Sequence, residues 1–95
     1  MVGPLVGFAF GPHATAFLDR MSPGKIRAQI TKKAKALISN PYPPGSTKLH
    51  GTTWEQDEAV YRIRSGDYRI LYVVRAGQQR LVLVIDIDNR KDVYR

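Results

Sequence analysis

Val60-Tyr61-Arg62-Ile63-Arg64-Ser65-Gly66-Asp67-Tyr68-Arg69-Ile70-Leu71-Tyr72 is the stretch that decides the fold. Apolar and aromatic side chains alternate with polar ones on both sides of Ser65-Gly66, which is the period of a half-buried strand. The Ser-Gly pair reads as the turn, so Ala59–Arg64 and Asp67–Val74 are expected to pair as an antiparallel hairpin. If Arg64 and Asp67 flank the turn, Ile63 faces Tyr68, Arg62 faces Arg69 and Tyr61 faces Ile70. One face then carries Tyr61, Ile63, Tyr68, Ile70 and Tyr72, and the other Arg62, Arg64 and Arg69. A one-residue slip would bury arginines among tyrosines, so the pattern itself opposes it.

Downstream, Gly77-Gln78-Gln79 supplies a second turn and Leu81–Asp88 a third strand rich in Val, Leu and Ile. Upstream, Lys48-Leu49-His50-Gly51 and the polar residues to Asp57 read as a lead-in to the hairpin. Residues 40–46, Asn-Pro-Tyr-Pro-Pro-Gly-Ser, cannot continue a helix and form a loop. Two helical stretches precede it. Ala14, Phe17 and Met21 recur at helical spacing from Pro12 to Met21. Ile26, Ile30, Ala34, Leu37 and Ile38 form a stripe from Pro23 to Ser39, with Ser22 as N-cap and Pro23 in the first turn. Lys25, Lys32, Lys33 and Lys35 fill the rest of that second helix, a pattern expected of a solvated face. Leu5–Phe10 is apolar and reads as a short buried strand. The expected order is therefore strand, two-helix hairpin and three-stranded antiparallel meander, an α+β domain with helices on one face of a small sheet.

Ninety-five residues form one domain, residues 1–95, because single domains mostly span about 50–200 residues. A hydrophobic content of 43% is enough for one modest core, and any site must lie on its surface. Cysteine is absent, which excludes disulfide scaffolds and thiol chemistry. No apolar run approaches the roughly 18 residues of a membrane span. Met1–Phe10 lacks the basic start and small-residue cleavage site of a secretory signal. A cytoplasmic location without membrane association is expected. Fifteen Lys and Arg against eight Asp and Glu give a formal charge of +7, which favours polyanionic partners.

The candidate chemistry follows from this charge. Arginines directly across a sheet repel, and an anion held between Arg62 and Arg69 would reverse the cost. The alternative is that both splay into water beside Asp67 or Asp86. The tail Asn89-Arg90-Lys91-Asp92-Val93-Tyr94-Arg95 adds a phosphate-binding fork and a ring that can stack on a base, or is a frayed terminus. His13 and His50 lack metal-ligand spacing. Asp86 and Asp88 share a strand face and more readily answer neighbouring arginines than hold a metal. Neither a phosphate-binding glycine loop nor a nucleophile elbow is present, and no cofactor is expected.

In combination, Val60-Tyr61-Arg62-Ile63-Arg64, Gly66-Asp67-Tyr68-Arg69-Ile70-Leu71-Tyr72 and Val84-Ile85-Asp86-Ile87-Asp88-Asn89-Arg90-Lys91-Asp92-Val93-Tyr94 resemble the RelE/ParE toxin superfamily. The resemblance runs from about Lys48 to Arg95. It implies a toxin of a type II toxin–antitoxin system, held inactive by an acidic antitoxin that wraps the helical hairpin. For a RelE-like member it implies a metal-independent endoribonuclease that cuts messenger RNA in the ribosomal A site. Arg62 and Arg64 would then position and activate the RNA, Arg69 and Arg90 would stabilise the phosphate, and Tyr94 would stack on or orient the substrate. Arginine is a poor general base, so proton transfer would fall to Tyr94, a ribosomal group or water. The alternatives are a ParE-like inhibitor of DNA gyrase without nuclease activity and a non-catalytic RNA- or ribosome-binding module.

Overall fold

The computed structural model describes residues 5–75 and 79–89. In chain order the elements are β1 (Leu5–Phe10), α1 (Pro12–Arg20), α2 (Lys25–Ala36), β2 (Thr47–Trp54), β3 (Glu58–Ser65), β4 (Tyr68–Arg75) and β5 (Gln79–Asn89). The strands form one sheet in the order β1-β5-β4-β3-β2. β1 runs parallel to β5, and the other neighbours are antiparallel. No helix among the described residues is long and apolar enough to cross a membrane.

The α+β class and the two helices match the sequence reading, but the sheet has five strands where four were expected. The additional strand is β2, whose residues are almost all exposed. As an edge strand packed on few neighbours, it carries Thr, Lys, His and Gly rather than an apolar alternation. The second helix begins at Lys25 and not at Pro23. Gly24 is extended, and the start has no side-chain cap, so Ser22 does not serve as one. After Ala36 the chain tightens into bonds from Leu37, Ile38 and Ser39 to carbonyls three residues back, which accounts for the helical pattern reaching Ser39.

Both helices cover one face of the sheet. Ala14 and Leu18 from α1, Ile30 and Ala34 from α2 and the following Leu37 meet Ile63, Ile70, Tyr72, Val82, Val84 and Ile87 in the main core. Ile26, expected on the same stripe, is 53% exposed, so the buried stripe of α2 begins at Ile30. Gly11 joins β1 to α1 at a close approach. Its N–H donates to the Val84 carbonyl at 2.7 Å, and a Cβ there would lie 3.3 Å from that oxygen.

A smaller apolar cluster lies on the sheet face that no helix covers. Val60, Val73 and Ile85 are buried there beneath Leu49, Trp54, Leu71 and Leu83. Ile85 reaches it through a bulge. Pairing steps from Leu71↔Asp86 to Tyr72↔Val84, so Ile85 is the extra residue and turns away from the main core.

The tyrosines tie the irregular loop to the sheet. Tyr42, in the 40–46 loop, packs edge-on to Tyr61 with ring centres 5.0 Å apart, and Tyr61 stacks on Tyr72 at 5.9 Å. The Tyr72 hydroxyl donates to the Pro41 carbonyl at 2.6 Å. Burial pushes that phenol up to about 12. Its unfolded value is about 10, so its contribution to stability is complete below about pH 10 and is lost as pH rises toward 12. Tyr72→Phe should cost about 1–2 kcal/mol in urea unfolding at neutral pH, because the Pro41 carbonyl loses its donor. The same variant should lose less stability than wild type between about pH 9 and pH 11.5, since it has no phenol to ionise.

Candidate nucleic-acid interface

The β3–β4 hairpin closes one residue later than the sequence reading placed it. Ser65 pairs with Tyr68, leaving Gly66 and Asp67 as the turn, with Gly66 at φ 61°. A positive φ at the first central position of a two-residue turn is a glycine preference, and it fits the twist of the flanking strands. Ile63 therefore faces Ile70, Tyr61 faces Tyr72, Arg62 faces Leu71 and Arg64 faces Arg69. The expected Arg62–Arg69 pair is thus an Arg64–Arg69 pair. Moving the turn by one residue shifts each partner by two, so every side chain keeps its face.

The helix-free face holds two adjacent rows of side chains. One runs Arg64, Arg69, Asp88 across β3, β4 and β5. The next runs Thr47, Arg62, Leu71, Asp86 across β2 to β5. Neighbours within a row are about 5 Å apart at Cα, as antiparallel pairs require. Arg62, Arg64 and Arg69 are therefore brought together on one face, as the alternation predicts.

Their electrostatic states differ. The Arg69 Nε donates to Asp88 Oδ1 at 3.0 Å, and the Arg69 side chain is only 15% exposed. That bond uses Nε, and the terminal nitrogens make no hydrogen bond to a described residue. Its ion-pair partner is Asp88 rather than Asp86. The Asp86 Oδ1 instead accepts from the backbone N–H of Ile87 at 2.8 Å. The ion pairs among the described residues involve Arg69 and Arg75, so Arg62 and Arg64 are in none of them. Arg64 is exposed and Arg62 half-buried. An anion bridging Arg64 and Arg69 would replace the repulsion of like charges across a pleat with charge-assisted hydrogen bonds.

The remaining candidates fall elsewhere. Arg90 and Tyr94 lie outside the described residues. His13 is in the first turn of α1 and His50 on β2, both exposed. No group of three or more His, Asp or Glu among the described residues could hold a metal ion. A cleft of about 550 Å³ at the other end of β3 is lined by Tyr42, Glu55, Glu58, Tyr61 and Arg75 among others. Arg75 is neutralised there: its Nε donates to Glu58 at 2.8 Å and its Nη2 to Glu55 at 2.6 Å. Those carboxylates, Glu58 foremost, favour its charged form. The sequence reading did not find this network, because the Glu55-Gln56-Asp57-Glu58 turn meets β4 through a long-range strand pairing.

Two solved structures share the fold. A chain of the archaeal RelE–RelB complex from Pyrococcus horikoshii OT3 is matched with a TM-score of 0.70, at 23% identity over 90% of this chain and 94% of that one. The toxin–antitoxin complex RelBE2 from Mycobacterium tuberculosis is matched with a TM-score of 0.69, at 23% identity over 95% of each chain. No curated protein sequence matches the chain. The family model for the ParE toxin of type II toxin–antitoxin systems, parDE, matches residues 10–94. With that match spanning both helices and the whole sheet beyond β1, the chain belongs to the ParE toxin family of type II toxin–antitoxin systems.

Proposed function

We propose that this toxin is a cytoplasmic, metal-independent endoribonuclease acting on messenger RNA, in the ribosomal A site, through the arginines of its helix-free face. The observation that carries the reading is the Arg64–Arg69 pair, like charges directly across a pleat, with Arg62 beside them and Asp88 fixing one edge of Arg69. A structural role does not require two guanidinium groups to face each other, whereas a phosphate between them does.

In the proposed reaction the ribose 2′-oxygen attacks the adjacent phosphorus and the bond from phosphorus to the 5′-oxygen breaks. A 2′,3′-cyclic phosphate and a 5′-hydroxyl end result. The 2′-hydroxyl proton leaves to Tyr94, a ribosomal group or water, and the 5′-oxygen takes up a proton. The protein's contribution is charge stabilisation and in-line positioning, which phosphoryl transfer needs more than covalent help. Arg64 and Arg69 would hold the non-bridging oxygens, Arg62 would orient the strand, and Arg90 would add a further cation from the tail. The antitoxin partner is proposed to be acidic and partly helical, complementing the +7 charge and covering the helical hairpin.

A second reading has its own support. The matching family model is that of ParE toxins, and the three arginines of the face, Arg62, Arg64 and Arg69, are poor general bases. A gyrase inhibitor working by protein contact would need no general base.

Induced expression in a bacterial host, with 5′ ends mapped on a reporter transcript, separates the two. Growth arrest with in-frame cuts inside translated regions is expected. Arg69→Ala and Arg90→Ala should each lower cleavage by roughly 100–1000-fold, the typical loss of one preorganised charge donor. Arrest with intact transcripts and loss of supercoiling activity would overturn cleavage in favour of gyrase.

A further inference from the structure

The basic surface does not stop at the sheet. β2 pairs with β3 only as far as Thr47↔Arg62, so Ile63, Arg64 and Ser65 have no strand beside them on that side. The C-terminal half of α2 lies along this open edge. Gln29, Lys32 and Lys33 from α2 and Arg64, Ser65 and Gly66 from the hairpin line a cleft of about 380 Å³ between helix and turn. Lys32 and Lys33 are exposed, and neither is in an ion pair among the described residues. Among the described residues, no carboxylate lines the cleft.

Lysines on a helix ordinarily face water with nothing bound, and Lys25 and Lys35 of the same helix are also exposed. Lys32 and Lys33 differ in sharing a concave surface with Arg64, which also pairs across the sheet with Arg69. Arg64 thus belongs both to the arginine face and to the cleft. The cations run continuously from Arg69 through Arg64, round the free edge of β3, to α2. The amide of Gln29 and the hydroxyl of Ser65 add neutral hydrogen-bonding groups beside them, the mixture that phosphate and ribose oxygens take.

We propose that this cleft binds backbone phosphates of the same RNA strand that crosses the arginine face, so that the strand turns round the β3–β4 hairpin onto α2. The proposal rests on the ribonuclease reading. Lys32 and Lys33 make no contact with the reacting phosphate. They set how much of the RNA beyond it is held.

The test uses the full chain and two RNA oligonucleotides made non-cleavable by 2′-O-methylation, one spanning only a few nucleotides and one longer. Affinity is measured against salt for wild type and for the double variant Lys32→Gln/Lys33→Gln, with unchanged thermal melting as the check on folding. Wild type should bind the longer strand more tightly. The double variant should lose that gain and bind both lengths alike. Its plot of log affinity against log salt for the longer strand should be shallower by about 1.4, or about 0.7 for each lysine–phosphate contact. If the double variant keeps both the gain and the slope, the cleft is a solvated surface and the proposal is overturned while the ribonuclease reading stands. If wild type binds neither strand, this proposal is overturned, while the ribonuclease reading is decided separately by the 5′ ends mapped on the reporter transcript.

Discussion

Side chains in β3, β4 and β5 must point alternately to the two faces of the sheet, and the rest of the molecule depends on that constraint. The helices cover one face only, so one set of alternate residues becomes the core and the other is left to solvent. Tyr61, Ile63, Ile70, Tyr72, Val84 and Ile87 point toward α1 and α2, and Arg62, Arg64, Arg69, Asp86 and Asp88 point away. That these arginines share one face is therefore a consequence of core packing, although packing does not require the exposed positions to be arginine. A slip that separated the arginines would also place charge beneath the helices, at a cost far above the modest repulsion between Arg64 and Arg69.

The bulge in β5 reconciles this alternation with two apolar clusters. Without an extra residue, Ile85 would share a face with Ile87 and the strand could not serve both sides. With it, Val84 and Ile87 reach the main core while Ile85 joins Val60 and Val73 on the other face. The helix-free face is thereby divided into an apolar part beneath Trp54 and Leu71 and a charged part around Arg69. Arg75, which could have extended the cationic surface, is neutralised by Glu58 and Glu55. Among the described residues of the helix-free face, Arg62, Arg64 and Arg69 thus form the cationic end beside the β3–β4 turn.

Much of this was legible in the sequence because it depends on parity. The faces of Arg62, Arg64 and Arg69 follow from alternation alone, and they survive the misplacement of the turn, since moving Ser65 into β3 shifts partners by two. The partner of each arginine did not follow, because it depends on whether Ser65 or Asp67 enters the turn, and a Gly-Asp pair with positive φ at Gly66 was as available as Ser-Gly. β2 was missed because an exposed edge strand has little apolar pattern to read. That Asp88 answers an arginine was legible, but not which one, because the Asp88–Arg69 pair joins residues 19 apart through a β4–β5 register set by a bulge. The parallel pairing of β1 with β5 joins the two ends of the chain, and no local signal specifies it.

The central claim is that RNA lies on the helix-free face at the arginine row. Amide chemical-shift mapping with a 2′-O-methylated RNA strand tests it most directly. The account expects the largest shifts in residues 62–71 and around Asp88, with little change in α1. Shifts confined to α1, or none at concentrations where the strand is bound, would contradict it.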